Sequence, residues 1–98
     1  MTQDAPSKID LATNARSAAD LLRVLANPHR LQVLCGLRTG ELSVGQIADH
    51  VDLSQSALSQ HLARLRLDRV VATRRQGQTI YYRIADPDVM TVLAVVSG

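Results

Sequence analysis

Ninety-eight residues, 46% apolar but only 2% aromatic, allow one small domain whose core must be built from Leu, Val, Ile and Ala, which favours packed helices. The formal net charge of +2 conceals an asymmetry: from His61 to Arg83 there are six arginines (Arg64, Arg66, Arg69, Arg74, Arg75 and Arg83) against one acid, Asp68, while the rest of the chain holds five basic and eight acidic residues. No stretch reaches the roughly 20 uninterrupted apolar residues of a membrane helix, the N-terminus lacks a signal-peptide plan, which points to the cytoplasm, and a single cysteine, Cys35, excludes an internal disulfide.

Residues 1–7, with Pro6 and several polar side chains, read as a flexible arm, and residues 8–98 as a single domain. Across 8–26, Leu11, Ala15, Ala18, Leu22 and Leu25 follow the three-or-four spacing of an amphipathic helix. Asn27-Pro28 stops it and starts another, since Asn caps a helix and Pro tolerates the first helical position. This second helix extends to about Thr39, with Leu31, Leu34, Cys35 and Arg38 on one face, and Gly40 ends it. After an extended piece at Glu41 and Leu42, Ser43-Val44-Gly45-Gln46 has the form of a capping box, which predicts a helix of barely two turns to Val51. Asp52-Leu53-Ser54 is then a three-residue turn, and Ser54 caps a further helix reaching about Asp68.

Two short helices joined by such a turn form a helix-turn-helix unit. Residues 70–75 and 78–84 are β-rich and separated by Gln76-Gly77, which suits a tight hairpin because Gly accepts positive φ. Ile80, Tyr82 and Ile84 alternate with Thr79, Tyr81 and Arg83, so one face is core and the other polar and basic. Asp86-Pro87-Asp88 begins a last helix whose content, Val89, Met90, Val92, Leu93, Ala94, Val95 and Val96, needs cover on nearly every side. A second subunit is the natural cover. The expected fold is mainly α with a small β-hairpin wing: a winged helix-turn-helix in the order helix, helix, short strand, helix, helix, strand, strand, helix.

On the helix after Ser54, Leu58, Leu62 and Leu65 form a seating stripe, and Ser56, Ser59, Gln60 and Ala63 lie opposite, with Arg64 beside them. Small and amide side chains let a helix enter the major groove of double-stranded DNA, where Gln pairs with adenine and Ser bonds bases or phosphates. Ser54 and Gln55 complete the set at the helix start, and His61, between the two faces, takes a minor contact role. The arginines further along the helix, and Arg74, Arg75 and Gln78 at the hairpin tip, hold backbone phosphates or reach the neighbouring minor groove. A solvated surface helix is the plain alternative, but no acid occurs from Gln55 through Leu67, nor in the hairpin before Asp86.

Ala26-Asn27-Pro28-His29-Arg30-Leu31, Glu41-Leu42-Ser43-Val44-Gly45-Gln46-Ile47, Leu53-Ser54-Gln55-Ser56-Ala57-Leu58-Ser59-Gln60-His61-Leu62 and Gly77-Gln78-Thr79-Ile80-Tyr81-Tyr82-Arg83-Ile84 together resemble the ArsR/SmtB repressors. The resemblance implies a homodimer joined through its first and last helices, which binds an imperfect palindromic operator and represses transcription until an inducer releases it. Arsenic-sensing members carry Cys-x-Cys where this chain has Ser43 and Gly45. Members with a dimer-interface metal site place Asp and His on the last helix, where this chain has Asp86 and Asp88 but no histidine after His61. With His29, His50 and His61 scattered over three elements, neither a metal site nor a cofactor is expected.

The second and third motifs resemble most the HlyU, BigR and SqrR branch, in which a cysteine of the second helix pairs with one near the end of the last helix to sense reactive sulfur or oxidants. Cys35 falls at the first position, and the chain has no second cysteine. Two readings of Cys35 stay open: a small hydrophobe in the core, or a redox-sensing thiol acting alone by sulfenylation or persulfidation. A constitutive or differently induced regulator is the corresponding functional alternative. A protein-interaction module on the same fold is another, opposed by the arginine-rich face. Enzymatic activity is not expected, since no nucleophile, base and orienting group converge in the motifs. Single-stranded RNA binding is disfavoured because only Tyr81 and Tyr82 can stack bases.

Overall fold

Most of the local start signals in the sequence operate where they stand. In the computed structural model, which describes residues 15–96, the elements are α1 (Ala15–Leu25), α2 (Pro28–Gly36), β1 (Leu42–Ser43), α3 (Val44–Ala48), α4 (Gln55–Leu67), β2 (Val71–Gln76), β3 (Thr79–Ile84) and α5 (Pro87–Val96). The Asn27 side chain accepts from the amides of His29 at 2.9 Å and Arg30 at 3.2 Å, with Pro28 at the first helical position. The capping box at α3 is complete: Ser43 Oγ accepts from the Gln46 amide at 3.3 Å, and Gln46 Oε1 from the Ser43 amide at 2.9 Å. Ser54 Oγ accepts from the Ala57 amide at 3.1 Å, and Asp86 Oδ1 from the Asp88 amide at 2.9 Å.

The ends are less legible than the starts. The expected beginning of the first helix at Lys8, the arm at 1–7 and Leu11 all lie outside the described residues. Leu22, placed by periodicity on the packed face of α1, is exposed, because Ala18, Val24 and Leu25 are the residues that pack. α2 stops at Gly36 rather than near Thr39, and Leu37 caps it with its amide on Val33 and Leu34. Its core face is therefore Val33, Leu34 and Leu37, with Leu31 and Cys35 only partly buried at its edge and Arg38 in the following turn. α3 ends at Ala48, so six residues rather than three separate it from α4. The hairpin loop is Gly77-Gln78, one residue later than expected, because Gln76 pairs with Thr79; Gly77 takes the positive φ of 64° at the first loop position.

The three strands form one antiparallel sheet in the order β1-β3-β2. β1 contributes only Leu42, paired with Tyr82, and Ser43, paired with Tyr81, but it ties the wing to the helical body. The core runs from Val24 and Leu25 of α1 through Val33, Leu34 and Leu37 to Ile47, the three leucines of α4, Val70, Val71, and Val89 and Leu93 of α5. Leu58, Leu62 and Leu65 are 1%, 2% and 0% exposed, so the stripe is the buried face of α4.

α4 closes on a left-handed residue that is not glycine. Arg69 has φ 61°, its amide bonds the carbonyl of Arg66 at 3.0 Å, and the Val70 amide bonds that of Leu65 at 2.9 Å. This is a Schellman closure, with buried Leu65 and Val70 making its usual apolar pair.

Truncation of the most deeply buried of these leucines tests the packing. Leu65→Ala is expected to lower the unfolding free energy by about 2–5 kcal/mol, measured by urea denaturation.

Candidate nucleic-acid interface

With the leucine stripe facing inward, the helical repeat turns Ser56, Gln60 and Ala63 directly outward, and all three are exposed. Gln55, Ser59, Arg64 and Arg66 are exposed on the flanks, and His61 is half-buried. Ser54 is exposed at the N-terminus of α4, where its hydroxyl serves as the cap. The outer face carries no acid, and its last residue, Leu67, is exposed too.

Along one flank of α4 the side chains are already engaged. Toward α1, Arg64 is held by Asp68, with Nε to Oδ2 at 3.0 Å, so Arg64 lies back along its own helix. Toward α2, His61 meets His29, with ring centroids 5.7 Å apart. The fold thus joins two histidines that the sequence places on separate elements, although the described residues contain no group of three potential metal ligands. Burial holds the pKa of His61 below its ordinary value, and the neighbouring charges of Arg30 and His29 act in the same direction.

The wing separates residues adjacent in sequence. Arg75 pairs with Ile80 and Thr73 with Tyr82, so they share the face that packs toward α4; Arg74 pairs with Tyr81 on the opposite face. There Arg74 is engaged on every nitrogen. Nε and Nη2 bond the Glu41 carboxylate at 2.8–3.2 Å, Nη1 bonds Gln76 Oε1 at 2.9 Å, and the guanidinium lies 4.7 Å from the Tyr81 ring centroid. Hydrogen bonding to Arg74 lowers the Glu41 pKa. Arg75 donates Nε to the Gly77 carbonyl at 3.0 Å and so braces the tip, where Gln78 is exposed. The structure brings Arg75 to the helix side of the wing but leaves Arg74 on the other side. Glu41, 33 residues before Arg74, is the contact that sequence spacing gave no signal for.

Cys35 is half-buried and lines a solvent-open hollow with Pro28, Leu31, Gln32, Thr39 and His50. His50 packs across Gly36, where an added Cβ would lie 3.4 Å from its Cβ and Cγ.

Residues 27–73 match the model of the bacterial regulatory protein arsR family. The chain is 45% identical over 84 residues to the transcriptional activator HlyU of Vibrio cholerae, an alignment covering 86% of this chain and 78% of the relative. It is 48% identical over 84 residues to the nodulation protein NolR of Rhizobium meliloti, covering 86% and 69%. Among solved structures, the transcriptional repressor BigR from Xylella fastidiosa superposes with a TM-score of 0.84 at 33% identity, covering 93% of each chain.

The shifted groups predict two separate pH windows. His61, lowered in the folded chain, is expected to withdraw stability as pH falls from about 6.5, where the unfolded chain begins to take up its proton, through its folded pKa. Glu41, also lowered, contributes stability above its ordinary value near 4.5 that is lost in stronger acid. Urea midpoints measured against pH should lose the first slope in His61→Gln and the second in Glu41→Gln.

Proposed function

The chain belongs to the arsR family of bacterial regulatory proteins and is a DNA-binding transcriptional regulator, and from that premise we propose that it is a dimeric repressor whose α4 reads an imperfect palindromic operator. The observation that carries this is the outer face of α4: small and amide side chains with no acid, on a helix whose opposite face is fully buried. Gln60 and Ser56 point straight out as the base-reading pair, Ser54, Gln55 and Ser59 flank them, and His61 and Arg64 serve the helix's other edge. Arg75 and Gln78 present the wing tip to the neighbouring minor groove or its phosphates. At Arg74 a phosphate competes with the Glu41 carboxylate already bound there.

Dimerisation is supported by apolar side chains exposed on the first and last helices: Leu22 on α1, and Met90, Val95 and Val96 on α5. Pairing these faces in two copies removes them from water and sets two α4 helices for half-sites about one DNA turn apart.

For release, we propose oxidant or reactive-sulfur chemistry at Cys35, supported by its half-burial in an open hollow beside His50. With peroxide, the thiolate attacks one peroxide oxygen, the O–O bond breaks, sulfenic acid forms, and the departing hydroxide is protonated to water. An added oxygen then has to be accommodated at the edge of the α2 packing face.

Selection of bound duplexes with reduced, peroxide-treated and polysulfide-treated protein tests operator and signal together. Gln60→Ala is expected to relax preference at one position per half-site, by about 1–3 kcal/mol. Equal losses on selected and random duplexes would contradict base reading. Cys35→Ser is expected to bind the operator as the reduced protein does and to ignore both treatments; an undiminished response would leave Cys35 as packing alone.

A further inference from the structure

Two hollows flank α4, and their charge differs. The one toward α1 is mixed, with Asp20, Asp68 and Asp86 beside Arg23, Arg30 and Arg64, and two of these acids are already paired with arginines. The one toward the sheet is lined by Ser59, Arg66, Arg69 and Tyr82 over apolar Val44 and Leu67, with no carboxylate in its lining. Neither Arg66 nor Arg69 has a side-chain ion pair or hydrogen bond among the described residues. Two unneutralised guanidiniums and two hydroxyl-bearing side chains therefore share one acid-free concavity.

Arg69 occupies that place against its backbone preference. The closure of α4 requires a left-handed residue there, and φ 61° is a conformation that glycine adopts freely and a Cβ-bearing residue rarely does. Glycine would end the helix with less strain. It would not supply a second cation beside Arg66.

We infer that this hollow is a seat for a single phosphate group, held by the guanidiniums of Arg66 and Arg69 with the Ser59 hydroxyl as a further donor. In the complex, a backbone phosphate beside the groove read by α4 fills it. This rests on the DNA-binding role proposed for the outer face of α4. A free phosphate-bearing small molecule offers the same chemistry, and the test separates the two sources.

Arg69→Gly in the full chain is expected to raise Tm by roughly 2–6 °C while weakening operator binding. Its plot of log affinity against log salt should be shallower by about 0.9 per seat, equivalent to about an eightfold relative loss between 1 M and 0.1 M salt. Arg66→Ala should lose the same slope. The double variant should lose little more, since both residues hold one phosphate. Arg69→Lys, which keeps the charge, should retain the slope. If Arg69→Gly is stabilised yet binds with unchanged affinity and slope, Arg69 only terminates the helix and the seat is refuted. If the wild-type protein binds no duplex at low salt, the DNA-binding role itself fails, and a titration with inorganic phosphate at constant ionic strength, followed by NMR, decides the seat. Resonance shifts at Ser59, Arg66 and Tyr82 that Arg69→Gly abolishes assign it to free phosphate; no such shifts refute it.

Discussion

Leu58, Leu62 and Leu65 hold α4 by a stripe that leaves no freedom to rotate the helix, because each is buried in the core shared with α2, the sheet and α5. Turning the helix by one residue would expose the leucines and drive Arg64 or Arg66 into the core in their place, with a penalty on both sides. The outward direction of Ser56 and Gln60, the pairing of Arg64 with Asp68, the meeting of His61 with His29 and the approach of Arg66 to the sheet all follow from that one orientation. The recognition surface is thus what remains after the hydrophobic face has been satisfied. Its chemistry is set by what the sequence omits there, namely any carboxylate from Gln55 to Leu67.

The wing obeys a different constraint, the pleat of the sheet. Arg74 and Arg75 are neighbours in the chain, yet alternation sends them to opposite faces: one to a carboxylate across the sheet, the other to brace the loop. A cluster of arginines in sequence is therefore not a cluster in space. The same sorting operates around α4, where Arg64 is neutralised on one flank while Arg66 and Arg69 keep their charge on the other.

The parts of this architecture legible in the sequence are those governed by contacts within four residues. The caps at Asn27, Ser43, Ser54 and Asp86 and the leucine period of α4 depend on side chains and amides close along the chain, and each of these helices starts at the cap its sequence signals. Helix ends are less legible: α2 stops at Gly36, ahead of the breaker Gly40, with the Leu37 amide closing its last turn on Val33 and Leu34. The Glu41–Arg74 bond and the His29–His61 contact were not legible, because each depends on how distant elements pack. Arg69 lies between these cases: the sequence signals a helix terminus near Asp68, but a run of arginines gives no hint that one of them must adopt a left-handed backbone.

The two tyrosines carry a further consequence. Tyr81 and Tyr82 are the only aromatic residues of Phe, Trp and Tyr type in the chain, they are adjacent on β3, and the pleat points them to opposite faces of the sheet. One lies under the Arg74 guanidinium and the other lines the hollow beside α4. All of the protein's intrinsic ultraviolet emission therefore originates in the wing, with one fluorophore reporting on each side. The molecule carries its own optical probe at the place where wing and groove-facing helix meet, free of background from the rest of the fold.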